Sequence, residues 1–149
     1  GQVTPQAFRE GLRQGLGLAR TDEELDAAWN AMILDLPPDK VAYVRGLKGR
    51  FRTFLLSNTN AIHLKHLRDT TQDIDDCFER AYYSHLLGHR KPSAAAFRAI
   101  LDAHNLAAAE TLFVDDMHAN VEAARSVGLV AVRIDPSAPL EAQVAPHLT

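Results

Sequence analysis

The chain has 149 residues, 46% hydrophobic and 23% charged, with a formal net charge of −3, which allows one domain with a real core. Without a basic block there is no electrostatic case for nucleic acid or an anionic membrane surface, and a small-molecule partner is expected instead. No apolar run reaches membrane-span length, no signal peptide is recognisable, and the lone Cys77 rules out an intrachain disulfide, which together suit a reducing, cytoplasmic setting.

Thr4-Pro5 has the form of an N-cap followed by proline at the first helical position, and Phe8, Leu12 and Leu16 then share one helical face. Thr21-Asp22-Glu23-Glu24 is a capping box, in which Thr21 and Glu24 satisfy each other's backbone donors. Leu25, Ala28, Trp29, Met32 and Ile33 form the apolar stripe of that second helix, with Trp29 read as a core residue. Pro37-Pro38 breaks the pattern, and a third helix runs from Pro38 to about Lys48 with Val41, Val44 and Leu47 inward.

Character changes at Phe51. The apolar and aromatic run to Leu56 reads as a strand and ends in Ser57-Asn58-Thr59-Asn60, a cluster suited to a loop and a helix start. A helix from about Ala61 to Arg68, an acidic turn through Asp73, Asp75 and Asp76, and a short apolar segment at Ala81-Tyr82-Tyr83 follow. Gly88 to Pro92 is a loop, and Ser93 is placed to cap a helix whose stripe is Phe97, Ile100, Leu101 and His104.

Thr111 to Val114 reads as a strand buried on both faces that stops at Asp115-Asp116; Val121, Ala124 and Val127 mark the helix behind it, closed by Gly128. Leu129 to Ile134 is a further strand stopped by Asp135-Pro136, and Leu140 to Leu148 is at best a short helix. Strands alternating with helices imply an α/β fold, a Rossmann-like, mainly parallel sheet with helices on both faces. The boundary lies near Gly46 to Arg50, separating a helical part, residues 1–48, from an α/β part, residues 49–149.

Two carboxylates crowded at the carboxyl end of a buried strand repel unless a cation lies between them, and that sheet edge is where open α/β sheets bind ligands. Asp115 and Asp116 are therefore candidate ligands of a hard cation, best suited to Mg2+; the alternative is an Asp-Asp turn in which Asp116 caps the next helix. Ser57-Asn58-Thr59-Asn60 and Lys91-Pro92-Ser93 fall at equivalent places, after a strand or before a helix. Hydroxyls and backbone N–H groups at a helix start, with one lysine, bind phosphate, and the carboxylates hold the neutralising cation, which makes a phosphoryl-transfer toolkit.

Each residue also has a plainer reading. Ser57 alone is a helix cap and Lys91 alone a solvated lysine. His63 with His66, and His85 with His89, have chelating spacings but no acidic or Cys partner beside them. His118 lines a pocket or sits on a surface loop. Cys77 is read as a small buried hydrophobe, and Arg90 as a possible helper of Lys91.

Taken in order, these runs resemble the haloacid dehalogenase superfamily. Phe54-Leu55-Leu56-Ser57-Asn58-Thr59-Asn60 looks like its second motif, Gly88-His89-Arg90-Lys91-Pro92-Ser93 its third, and Leu112-Phe113-Val114-Asp115-Asp116, with Asn120 four residues on, its fourth. The resemblance covers roughly Gly46 to Pro136, and the helices before Phe51 look like the later part of the helical cap inserted in such proteins. It implies that Ser57 and the Asn58 backbone hold the transferring phosphoryl group and that Lys91 neutralises it. It further implies that Asp115 ligates magnesium, that Asp116 completes the metal shell or positions a ligand, and that Thr59 and Asn120 support the loops.

The family's first motif, a strand ending in Asp-x-Asp that supplies nucleophile and general acid, has no counterpart in the sequence. In the family that strand lies between the second-motif and fourth-motif strands. The chain opens on Gly1 with its first methionine at Met32, so it is expected to be a fragment that is inactive alone, with the nucleophile outside it. Paired acids favour a magnesium phosphatase acting on a small phosphorylated metabolite over a metal-free dehalogenase, whose members resemble one another in carrying serine and asparagine there. A non-catalytic module that keeps an anion and metal pocket is the alternative from a different class. Oligomeric state is not set by any of these features.

Overall fold

The computed structural model describes residues 3–70 and 74–148. Three helices come first: α1 (Pro5–Leu16), α2 (Asp22–Asn30) and α3 (Pro38–Leu47). Thr4 caps α1 by accepting from the Ala7 N–H at 3.2 Å, and Gly17, at φ 63°, ends it in the left-handed region with its N–H donating to the Arg13 carbonyl. The Thr21–Glu24 capping box forms as expected at the start of α2.

The apolar stripes of these helices are only partly used. Leu16 is 66% exposed, and α2 ends at Asn30, which leaves Met32 outside the helix and 59% exposed; Ala28 is exposed as well. The two helices are joined largely by charge: the Arg9 guanidinium holds both oxygens of Asp26 at 2.8 and 2.6 Å, while Arg13 donates to Asp22. Their apolar contact is Phe8 against Trp29, ring centroids 4.9 Å apart.

The α/β part runs β1 (Phe54–Ser57), α4 (Ala61–Thr70), a 3-10 turn at Ile74–Cys77, β2 (Arg80–Tyr83), α5 (Ser84–Leu87) and α6 (Ala94–His104). It continues through β3 (Leu112–Asp115), α7 (His118–Ser126), β4 (Val130–Arg133) and α8 (Leu140–Val144). Pairing is parallel throughout, as alternation of strand and helix requires, but it falls into separate two-stranded ladders, β1 with β2 and β3 with β4. Among the described residues β1 and β3 do not pair with each other. The strands are consequently half-buried along most of their length, less than their apolar sequence implies. Asp73 of the acidic turn lies outside the described residues.

The core lies where α6 and α7 cover the strands. Phe97 and Leu101 of α6, Val121 and Ala124 of α7, and Leu129 and Ala131 at β4 form one buried cluster; Phe113 of β3 and Leu56 of β1 pack against it. Phe97 meets Phe113 edge-on at 5.0 Å. Leu56 thus brings the first ladder into the same core as the second. Ser93 stands at the N-cap position of α6, but its side chain makes no capping bond there. The chain turns between helix and strand at Gly128, at φ 97°, a conformation that disfavours side chains.

Truncation of Phe97 to alanine is expected to cost about 3–5 kcal/mol, and Thr21→Ala about 1 kcal/mol, because the first empties the shared core and the second removes a helix cap. Urea unfolding of the two variants measures both; equal costs would contradict a core centred on α6.

Candidate active site

The site lies at the carboxyl ends of the strands. Residues from α/β loops far apart in sequence converge there because parallel strands put all their carboxyl ends on one edge. Ser57 ends β1 and Asn58 follows it. The Asn58 side chain holds the backbone of Lys91 from both sides: its Nδ2 donates to the Lys91 carbonyl at 2.8 Å, and its Oδ1 accepts from the Lys91 N–H at 2.9 Å. Lys91 is thereby placed against β3, where its Nζ donates to Asp115 Oδ2 at 2.7 Å and lies 5.6 Å above the Phe113 ring.

The other oxygen of Asp115 is equally engaged. Oδ1 accepts from the Met117 N–H at 2.8 Å and from Asn120 Nδ2 at 2.9 Å. Asp115 and Asn120 are buried, at 8% and 7% exposure. Burial pushes the Asp115 carboxyl up, but donation from Lys91, Asn120 and the Met117 N–H outweighs it and holds the group below its ordinary range. Lys91 carries three donors; one is spent on Asp115, and among the described residues the other two make no hydrogen bond.

Asp116 differs from its neighbour. It is exposed, and among the described residues its carboxylate takes no side-chain hydrogen bond or ion pair, while its carbonyl accepts from Arg133 Nε at 3.0 Å. It does not cap α7, whose N-cap is Met117; the carboxylate that serves the turn is that of Asp115. Thr59 latches its loop to α5, its N–H donating to Ser84 Oγ at 3.1 Å and its carbonyl accepting from the same hydroxyl at 3.0 Å. Asn60 caps α4 by accepting from the His63 N–H at 3.0 Å.

The structure thus links Asn58, Lys91, Asp115 and Asn120 by direct hydrogen bonds and keeps Ser57 beside them, half-buried at the strand end. Two contributions escape a reading by motif: the Asn58 side chain as the clamp on Lys91, and Ser84 as the anchor of the Thr59 loop. The adjacency of Asn58 to the strand end marks the first; nothing in the sequence marks the second. Among the described residues no cluster of three or more His, Cys, Asp or Glu side chains could hold a metal. His63 is buried, bonded through Nδ1 to Asn30 Oδ1 at 2.9 Å and stacked on Trp29, a structural position between α2 and α4.

A family model of haloacid dehalogenase-like hydrolases matches residues 5–128. The chain belongs to this family. It is 29% identical over 133 residues to a D-ribitol-5-phosphate phosphatase of Bacteroides thetaiotaomicron, covering 86% of this chain and 65% of that one. It is 31% identical to a sesquiterpene phosphatase of Aspergillus oryzae, covering 92% and 70%. A solved structure of a haloacid dehalogenase family enzyme from B. thetaiotaomicron, in complex with magnesium and inorganic phosphate, superposes with a TM-score of 0.90 at 30% identity, covering 95% of this chain and 74% of that one. The chain therefore spans under two thirds of the length of the first of these relatives. No helix among the described residues is long and apolar enough to cross a membrane.

Because Asp115 is held below its ordinary 3.8 in the folded state, its contribution to stability is present above that value and lost as pH falls through the folded one. Asp115→Asn is expected to cost about 3 kcal/mol at neutral pH, since it leaves the largely buried Lys91 head without its partner. The gap between wild type and variant should close as the pH is lowered below about 4. Chemical denaturation across that range measures it; a gap that is constant with pH would contradict the pairing.

Proposed function

We propose that this chain forms part of a magnesium-dependent phosphatase that acts on a small phosphorylated metabolite. The observation that carries the reading is the hydrogen-bonded series Asn58–Lys91–Asp115–Asn120, which ends beside the unpaired carboxylate of Asp116 at the ligand-binding edge of the strands. The phosphatase names of the two curated relatives, and the magnesium and phosphate bound to the structural neighbour, support it.

In this reading Lys91 meets the phosphoryl oxygens with its free donors, and Asn58 fixes where that charge sits. The Ser57 hydroxyl and the Asn58 backbone N–H hold the phosphoryl group from the β1 side. Asp115 and Asn120 are positioning residues: Asp115 fixes the lysine head, and Asn120 and the Met117 N–H fix Asp115. The roles of the acid pair then divide unequally, because both oxygens of Asp115 already accept hydrogen bonds while Asp116 is free. Asp116 is the principal ligand offered to magnesium, with Asp115 next to it.

The donor chemistry fits that ion: an exposed carboxylate suits a hard cation that keeps several waters. Bound magnesium would supply charge neutralisation at the phosphoryl oxygens. The attacking carboxylate is assigned to a strand seated between β1 and β3. That β1 and β3 do not pair with each other among the described residues supports that placement, since unpaired backbone in a sheet is costly.

Hydrolysis of a phosphomonoester by the intact protein is expected to require Mg2+. Lys91→Ala should lower kcat by about 10²- to 10³-fold, as loss of a preorganised charge partner does, and Asp116→Asn should raise the magnesium concentration needed. Full turnover in EDTA would overturn the magnesium dependence, and a Lys91→Ala variant within twofold of wild type would overturn the role given to Lys91; phosphate binding without turnover would overturn the enzyme reading in favour of the module.

A further inference from the structure

Asp116 carries the exposed carboxylate of the acid pair, and among the described residues no side chain hydrogen-bonds or ion-pairs with it. The direction in which that carboxylate leaves the strand end is therefore set by the backbone. Peptide units are planar, so the side-chain bond of a residue is fixed once the units on both sides of its α-carbon are held. The unit before Asp116 is held by the sheet, where the Asp115 carbonyl accepts from the Ile134 N–H at 3.1 Å. The unit after it is held at both ends: the Met117 N–H donates to Asp115 Oδ1 at 2.8 Å, and the Asp116 carbonyl accepts from Arg133 Nε at 3.0 Å.

Arg133 is the last residue of β4 and lies opposite Asp115 in the parallel register. An arginine beside an exposed carboxylate commonly forks onto its two oxygens. Here the guanidinium goes to the carbonyl of Asp116 instead, and among the described residues it pairs with no carboxylate. A guanidinium on the carboxylate would compete with a metal ion for the same oxygens. On the carbonyl it restrains the residue and leaves both oxygens open.

We propose that Arg133 is a positioning residue for the cation site at Asp116, aiming the carboxylate through its hold on the neighbouring carbonyl. The inference rests on the reading of Asp116 as the principal magnesium ligand. Two effects of Arg133 on Mg2+ then have opposite signs: its hydrogen bond favours binding by fixing the ligand, whereas its charge opposes a second cation nearby. Arg133→Met removes both effects. Arg133→Lys keeps the charge and replaces the planar fork by a flexible single head.

The test is a titration of the intact, 15N-labelled protein with MgCl2 alone, followed at the Met117 amide, whose resonance is assigned by its loss in Met117→Leu. Arg133→Met should raise the Mg2+ midpoint by about three- to tenfold, the size expected for one lost hydrogen bond, and Arg133→Lys should fall between it and wild type. A midpoint in Arg133→Met equal to or below that of wild type would overturn the inference, because charge alone would then describe the residue. A lowered urea midpoint in the absence of Mg2+, with the Mg2+ midpoint unmoved, would overturn it as well, since that marks a purely structural role. Hydrolysis of a phosphomonoester separates the inference from the phosphatase reading. Mg2+-dependent turnover with equal Mg2+ midpoints in wild type and Arg133→Met removes the inference and keeps the reading; a shifted midpoint with no turnover in either protein does the reverse.

Discussion

The site depends on one largely buried ion pair. Lys91 and Asp115 meet at 2.7 Å with side-chain exposures of 13% and 6%, in a place where removing either partner would strand a charge. A pair of this kind adds little net stability, since desolvation of both ions offsets their attraction. What it adds is position. The lysine head is fixed from one side by a carboxylate that Asn120 and the Met117 N–H hold in turn, and its backbone is fixed from the other by the Asn58 amide. A cation fixed this way meets an incoming anion without reorganising, which is the condition for electrostatic preorganisation.

The same pair ties together parts of the fold that do not hydrogen-bond as a sheet. The β1–β2 and β3–β4 ladders are separate, so the relative placement of Ser57 and Asp115 cannot come from strand register. It comes instead from the α6 and α7 core, where Leu56 and Phe113 pack on one cluster, and from the Asn58–Lys91–Asp115 bridge across the top. Packing sets the distance between the ladders, and the polar bridge sets which side chains face one another.

The adjacent acids illustrate how burial separates identical residues. Asp115, buried, accepts from three donors; Asp116, one residue on, is exposed and its carboxylate is unpaired among the described residues. Similar contrasts recur among the histidines. His63, in a spacing that suggests chelation, spends its ring on Asn30 and Trp29, while His85 Nδ1 is buried without a hydrogen-bond partner among the described residues.

Much of the molecule was legible in the residues. The caps at Thr4 and Thr21, the turn at Gly128, the strand ends at Ser57 and Asp115, and the parallel α/β pattern are local signals, set by backbone donors, glycine conformation and apolar periodicity within a few residues. Three motifs in order also marked Ser57, Lys91 and Asp115 as neighbours in space. Contacts across the chain decided the rest. That Leu16 and Met32 stay exposed, that arginine forks join α1 to α2, and that Asp115 serves the lysine and leaves Asp116 open follow from which surfaces meet. Spacing along a chain fixes which residue types share an edge, whereas the partner of each oxygen depends on burial and geometry that arise only when distant segments pack.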